Sequence, residues 1–307
     1  MKKKYILVFL ILCIAVVFKK NIRNEFYYYK YKIHNIVLTK NDPYYKYIQK
    51  LKSAIKRSEF IDSIDLNKNV LEVGPFNNPL LKGKNVNYFD ILDQERLKEK
   101  IMNDPFYDFK KTHKVELLKI PYIKYVEPTG NMDKIKDRFN IVFSSHNIEH
   151  QVNLIKHLQQ IQNLLNTKGK IFLIIPDRRY CSDHYISETH LSDVIDVFES
   201  NPKKHDLKTI LTNRCERSTH NDSYAHWQSE HGQHKSEELK NCYQEALKEY
   251  KNSGNDYIDA HRWRFTPQSF YKIISDLNEM GYIKLKVDTI YDTKFGSCEF
   301  YAVLSLQ

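Results

Sequence analysis

Two stretches of this 307-residue chain hold side chains suited to moving a proton. In FNIVFSSHNIEHQ, an apolar run from Phe139 ends on Ser144, Ser145, His146, Glu149 and His150. In IIPDRRYCSDHY, a second apolar run ends on Asp183 and His184. A neutral imidazole can accept a proton from a hydroxyl near neutral pH. That makes His150 and His146 the leading candidates for a general base, with Asp183 and His184 as alternates from the neighbouring loop. A plainer reading has Glu149 and His150 capping the helix that follows.

A third stretch, VLEVGPFNNP from Val70 to Pro79, reads as a buried strand entering a tight loop. Gly74 permits a backbone conformation and a close ligand approach closed to other residues. Asn77 and Asn78 also tolerate the left-handed region. Asp90 follows Glu72 by 18 residues, where a doubly wound fold places the acid that holds ribose hydroxyls. Further on, HNDSYAHWQSEHGQH gathers His220, Asp222, His226, His231 and His234, but the spacing matches no metal motif. The segment is read as a polar substrate rim, with no metal site assigned. Trp263 fits either core packing or sugar stacking, and Arg178 and Arg179 either an anionic substrate group or solvent.

These residues need strands to carry them. The runs NVLEV, VNYFDI, IKYVE, FNIVFSS and KIFLIIP alternate with helical patterns, including an amphipathic stretch from Leu154 to Leu165 closed by Lys168-Gly169. Alternation of this kind predicts an α/β fold with a parallel, doubly wound sheet. Tyr47, Ile48, Leu51 and Ile55 fall at helical spacing within Tyr44 to Ile64. The helix SFYKIISDLNEMG, then IKLKVDTIYDT and CEFYAVLSL around Gly296, predict an antiparallel C-terminal hairpin. Between Tyr180 and Asp259 only Glu237 to Tyr250 reads clearly as helix. That insertion is expected to cover the C-terminal edge of the strands, where open sheets bind ligands.

Together LEVGP-x-x-NP, YFD, SSHNIEH, the lysine-glycine turn before IIPDRRY-x-x-DH, and HRWRFTPQSF carry a resemblance. From Val70 to Leu306 the chain resembles class I S-adenosylmethionine-dependent methyltransferases, in particular a bacterial branch associated with surface-polysaccharide genes. The resemblance implies a Rossmann-like methyltransferase fold with S-adenosyl-L-methionine as cofactor. It implies that Glu72, Gly74, Pro75 and Asn78 form the first cofactor loop and that Asp90 holds the ribose. Glu127 would lie near the adenine amine, with Asn131 or Asp133 as substitutes, and Ser145 and His146 would line the methionine side. Phe76 and Asn77 depart from the pattern, standing where many members have glycine.

The net charge of +10 is unevenly spread: up to Ser58 there are 14 Lys and Arg against 2 acids, leaving a body of −2. A body of that charge offers no basic surface to track phosphates, so nucleic acid is not an expected partner. The start, MKKKYILVFLILCIAVVFKK, holds an apolar run from Tyr5 to Phe18 between lysines. As a helix the run reaches about 21 Å, enough for a single-pass anchor where the bilayer thins and the flanking lysines snorkel, with a cleaved signal peptide or a buried core helix as the alternatives. The expected organisation is a signal-anchor at residues 1–20, a basic arm with a helix at 21–64, and a methyltransferase domain at 65–307 with its insertion around 181–259. Charge asymmetry predicts a membrane protein whose body faces the cytoplasm. The 5 widely spaced cysteines argue against a disulfide framework and for a reducing compartment. The expected reaction is methyl transfer to a hydroxyl or amine of a glycan, glycolipid precursor or small metabolite. The alternative is an inactive member of the fold serving as a membrane-bound interaction protein. A nicotinamide oxidoreductase is disfavoured because G-x-G-x-x-G is absent.

Overall fold

A computed structural model describes residues 43–103, 120–233 and 239–307. The expected anchor at residues 1–20 and the arm as far as residue 42 lie outside the described residues. Among the described residues no helix is long and apolar enough to cross a membrane.

Among the described residues eight strands form one sheet: β1 (Leu51–Lys52), β2 (Val70–Val73), β3 (Val86–Asp90), β4 (Tyr125–Val126), β5 (Phe139–Ser145), β6 (Leu165–Pro176), β7 (Leu285–Tyr291) and β8 (Glu299–Leu306). Their order is β1-β7-β8-β6-β5-β2-β3-β4, with β8 antiparallel to both neighbours and every other pairing parallel. The chain winds outward from β2 in both directions, so β2 and β5 flank the point where the order reverses. Such a point opens a crevice at the C-terminal ends of the strands. The β7 and β8 pair is the expected antiparallel hairpin.

Period-two alternation explains why the sheet is buried on both faces. Leu71, Val142, Leu173 and Ile175 pack into one core with Leu154, Leu158 and Ile161 of α4 (Leu154–Leu164) and Phe270, Ile274 and Leu277 of α9 (Pro267–Glu279). Val70, Ile141, Phe143, Phe172 and Ile174 face the opposite core, where Phe60 of α2 (Arg57–Asp62) stacks on Tyr301 at 4.7 Å. Sequence chemistry sets the helix starts. Asn153 accepts from the amide of Lys156 ahead of α4, and Thr266 accepts from that of Ser269 ahead of α9, with Pro267 in the first turn.

Three expectations are corrected. The single helix over Tyr44 to Ile64 is broken into α1 (Pro43–Lys50), the edge strand β1 beside β7, and α2. Burying Tyr47, Ile48 and Leu51 is compatible with that break because Leu51 pairs with Ile290 in the sheet. Next, α4 runs directly into β6, and Lys168-Gly169 lies within that strand where the register shifts against β5. The third correction concerns cysteine. Cys215 at the end of α6 (Leu207–Cys215) is bonded to Cys242 in α8 (Leu239–Asn252), 27 residues away. Widely spaced cysteines meet here because the two helices pack side by side around Ile210 and Ala246. The cysteine argument for a reducing compartment therefore falls away.

The insertion is more ordered than its polar sequence suggests. Besides α6 and α8 it holds α5 (Leu191–Ser200), whose Val194 and Val197 join the main core, and the short α7 (Ser223–Trp227). Trp227 stacks on Tyr180 at 3.8 Å and donates to the carbonyl of Ser297, so the insertion sits over the C-terminal edge as expected. A cross-link closing a loop of this length stabilises by roughly 3 kcal/mol. Cys215→Ser is expected to lower unfolding stability by that order in non-reducing denaturant titration, and unchanged stability would contradict the bond.

Candidate active site

The cofactor loop begins where β2 ends. Gly74 has φ +69°, a conformation that favours glycine, and a Cβ there would come within 2.5 Å of the Asn147 side chain and push it aside beneath the loop after β5. Phe76 takes φ +46°; Asn77 and Asn78 are not in the left-handed region. That conformation costs a residue with a side chain about 1–2 kcal/mol. Burial of the Phe76 ring against Leu97 and Ile101 of α3 (Gln94–Met102) offsets it. The departure from glycine therefore turns the ring into α3's apolar cluster.

Two acids hold this loop in different ways. The Glu72 carboxylate is buried and accepts from the amides of Leu80 and Leu81 at 2.9 and 3.0 Å. Its two oxygens fix the far side of the loop, an indirect part in cofactor binding. Asp90, at the end of β3, accepts from the amides of Phe76 and Leu92 at 3.4 and 3.3 Å. It therefore stands at the tip of the crevice, next to the loop, where the ribose acid was expected. Pro75 is buried within the loop and Asn78 is exposed at its rim. Glu127 follows β4 and is tied to Thr129 and Lys134 at the surface, beside the carbonyl of Asp90.

The loop after β5 gathers the proton-handling groups around one carboxylate. Glu149, in the single turn Ile148–His150, is completely buried, and neither of its oxygens has a hydrogen-bond partner among the described residues. His146 Nδ1 lies 3.5 Å and His150 Nε2 3.7 Å from Glu149 Oε1. His261 completes the ring: the amides of Arg262 and Trp263 donate to the Glu149 carbonyl, and the Trp263 indole donates to that of Gln151. These three bonds staple the HRWRF segment against the turn. Trp263 is buried core, so the sugar-stacking reading does not apply to it.

Each of the three histidines is backed by an acid from elsewhere in the chain. His146, itself at φ +47°, pairs through Nε2 with Glu299 at 2.9 Å. His150 pairs through Nδ1 with Asp259 at 2.8 Å, and His261 through Nδ1 with Asp183 at 2.5 Å. Burial pulls the His146 pKa down, but the Glu149 and Glu299 carboxylates on its two sides outweigh it and lift the value to about 9. His146 therefore carries a proton at neutral pH, which corrects its assignment as a neutral base. The same opposition, with Asp259 as the chief partner, raises His150. Asp183 is held below the usual carboxylate range, since His261 and Arg217 outweigh its desolvation. Already paired with both, it orients His261 and is not free to act as a base. Burial would raise Glu149, yet its histidine neighbours hold it low.

Some expected residues serve other ends. His184 turns away from this centre: its Nδ1 pairs with the carbonyl of Arg179 and its ring stacks on His231 at 3.6 Å. Ser145 accepts from Arg57 of α2, which also pairs with Glu299. Arg179 is taken up by Asp177, and Arg178 by the carbonyls of His184 and Ile186. Sequence reading missed the roles of Arg57, Asp259 and Glu299. A lone acid opening an apolar C-terminal strand, and an Asp two residues before a His, were the available signals for the last two.

Burial raises the Glu72 pKa from 4.5 to about 7, against the two amides that lower it. A folded value above the unfolded one contributes stability below pH 4.5 that is lost as pH rises through about 7. Glu72→Gln, always neutral, is expected to gain stability relative to wild type between about pH 5 and about pH 8. Thermal unfolding at the two pH values checks this, and parallel curves would contradict it.

Comparison with known proteins gives the family. The profile of the Methyltransferase domain family matches residues 44–246, about two thirds of the chain. No curated protein sequence matches it. Among solved structures, the CcbJ methyltransferase from Streptomyces caelestis is 11% identical, with 81% of this chain and 87% of that one covered, at a TM-score of 0.40. An S-adenosylmethionine-dependent methyltransferase from Clostridium acetobutylicum is 10% identical over 91% of this chain and 98% of its own, at 0.41. With a glycine loop at the reversal point, an acid at the end of the next strand and a family match spanning both, the chain belongs to the methyltransferase-domain family and is an S-adenosylmethionine-dependent methyltransferase.

Proposed function

We propose that the chain transfers the methyl group of S-adenosylmethionine to a hydroxyl of a glycan or glycolipid precursor. The observation that carries this reading is the buried Glu149 with its three acid-backed histidines beside the crevice. An unprotonated amine already has a lone pair to offer the sulfonium methyl, and needs little beyond positioning. A hydroxyl is a poor nucleophile until its proton is drawn off or its negative charge is stabilised. A centre of charged, oriented side chains is thus better suited to oxygen than to nitrogen. A body of net −2 points away from polyanionic acceptors. The saccharide class follows the resemblance seen in the sequence, and residues 1–20 as an anchor would hold the enzyme beside a lipid-linked acceptor.

In this reading Gly74 and Asp90 position the methyl donor, which supplies an activated methyl carbon on sulfur. Glu72 keeps the loop in shape from below. The acceptor enters under the insertion, with its hydroxyl facing His150 and His261. Held there, the oxygen is oriented toward the donor and gives up its proton as it attacks the methyl carbon. Arg57, reaching from α2 to Ser145 and Glu299, ties the segment after the arm to this centre. An inactive interaction protein would have no use for three separately backed histidines, so the active reading is preferred.

Removal of a charged acceptor of hydrogen bonds costs about 1.5–3 kcal/mol. Asp90→Ala is accordingly expected to weaken S-adenosylmethionine binding at least about tenfold in calorimetry, and unchanged affinity would remove its assignment. His150→Ala is expected to keep donor affinity while methyl transfer falls by roughly a hundredfold or more; retained turnover would remove His150 from the reaction. Turnover is followed as labelled methyl transferred to a panel of free and lipid-linked saccharides. Label appearing only on amines would overturn the hydroxyl assignment.

A further inference from the structure

We propose that Glu149, His150 and His261 bind a divalent transition-metal cation, zinc by the character of the donors, which takes the acceptor hydroxyl as a further ligand. The inference rests on the methyltransferase reading and says how its acceptor side works. One ligand atom from each of the three side chains lies within 4.8 Å of the others. The separations decide between a hydrogen-bonded network and an ion site. At 3.7 Å, His150 Nε2 is too far from Glu149 Oε1 for a hydrogen bond. Two ligands about 2.1 Å from a tetrahedral zinc stand roughly 3.4 Å apart. The gap around the carboxylate is therefore close to what a cation would span.

The partners behind the ligands point the same way. A metal-bound imidazole usually gives its other N–H to a carboxylate, which fixes the ring and makes the ligating nitrogen more basic. His150 and His261 each do this through Nδ1, to Asp259 and Asp183, which leaves Nε2 of both for the ion. Glu149 supplies a fully buried carboxylate that accepts no hydrogen bond among the described residues, with His146 and His150 standing 3.5 and 3.7 Å from Oε1. A buried carboxylate without hydrogen bonds is costly, and coordination to a cation reduces that cost. Two imidazoles and one carboxylate suit zinc, and three protein ligands leave a position open. The side chains of His150 and His261 stay 24% and 17% exposed, so that position can be reached from the acceptor side.

A second histidine group, His184, His226 and His231, also has three donor atoms close together. There His226 and His231 meet nitrogen to nitrogen at 3.1 Å, which is itself a hydrogen-bond distance, and among the described residues none of the three is paired with an acid. It serves as the internal control. In the reaction, the metal-bound hydroxyl would give its proton to solvent water. Its oxygen then forms the bond to the methyl carbon as the carbon–sulfur bond breaks, the bonding pair staying on sulfur to give S-adenosylhomocysteine.

The test is a titration of chelator-stripped, full-length protein with Co2+, whose visible absorption reports ligand type and number. One saturable equivalent is expected. It should be lost in Glu149→Gln and in His261→Ala and kept in His226→Ala. Glu149→Asp, which retains the charge, should keep cobalt with a shifted spectrum. A wild-type protein without a saturable equivalent overturns the proposal, as does an equivalent that survives Glu149→Gln and His261→Ala or disappears only with His226→Ala. S-adenosylmethionine binding, followed separately by calorimetry, keeps the two readings apart. Donor binding without cobalt binding removes the metal alone, whereas absence of donor binding by wild type removes the methyltransferase reading.

Discussion

The burial of the Glu149 carboxylate is the constraint on which the arrangement of the candidate site depends. A carboxylate so placed must be compensated, and the chain brings the imidazoles of His146, His150 and His261 to it from two separate segments. Each imidazole then requires an acid behind it, drawn from the loop after α8, from the start of the insertion and from the first residue of β8. The consequence reaches far along the chain. Arg214 joins Glu249 of α8 and the Asp259 carbonyl, so the α6 and α8 pair with its disulfide braces the loop that presents Asp259 to His150. What looks like a loosely polar insertion is the outer frame of a charge network centred under β5.

The sheet was legible in the sequence because its strands are buried on both faces, and parallel strands of that kind appear as apolar runs between turn residues. The cofactor loop was legible for a similar reason: Gly74 and Asp90 sit at strand ends whose positions the runs define. Backbone detail was not. Phe76, not Asn77 or Asn78, takes the left-handed conformation, because the apolar cluster against α3 repays the strain. Propensity ranks the asparagines first, and tertiary packing overrode it.

The candidate site was half legible. His146, Glu149 and His150 lie within five residues on one loop, and local spacing exposes them. Their partners come from as far as Glu299, and no local pattern joins residues that only the folded sheet brings together. The same distance hid the change of role at His146. Near neutrality a histidine is a sensible base until two buried carboxylates are placed beside it. Asp183 illustrates the converse: a residue near a catalytic-looking turn proves to orient His261. Apart from α8, the insertion eluded reading because α5, α6 and α7 are short, with α5 and α6 each contributing only a few buried residues.

The account holds that a loop with one glycine, a phenylalanine folded aside and an aspartate at its tip still forms a working donor site. Calorimetric titration of S-adenosylmethionine into the full-length protein tests this most directly. The account predicts saturable binding of one donor per chain with a dissociation constant in the micromolar range. No detectable heat from a protein shown by circular dichroism to be folded would contradict it.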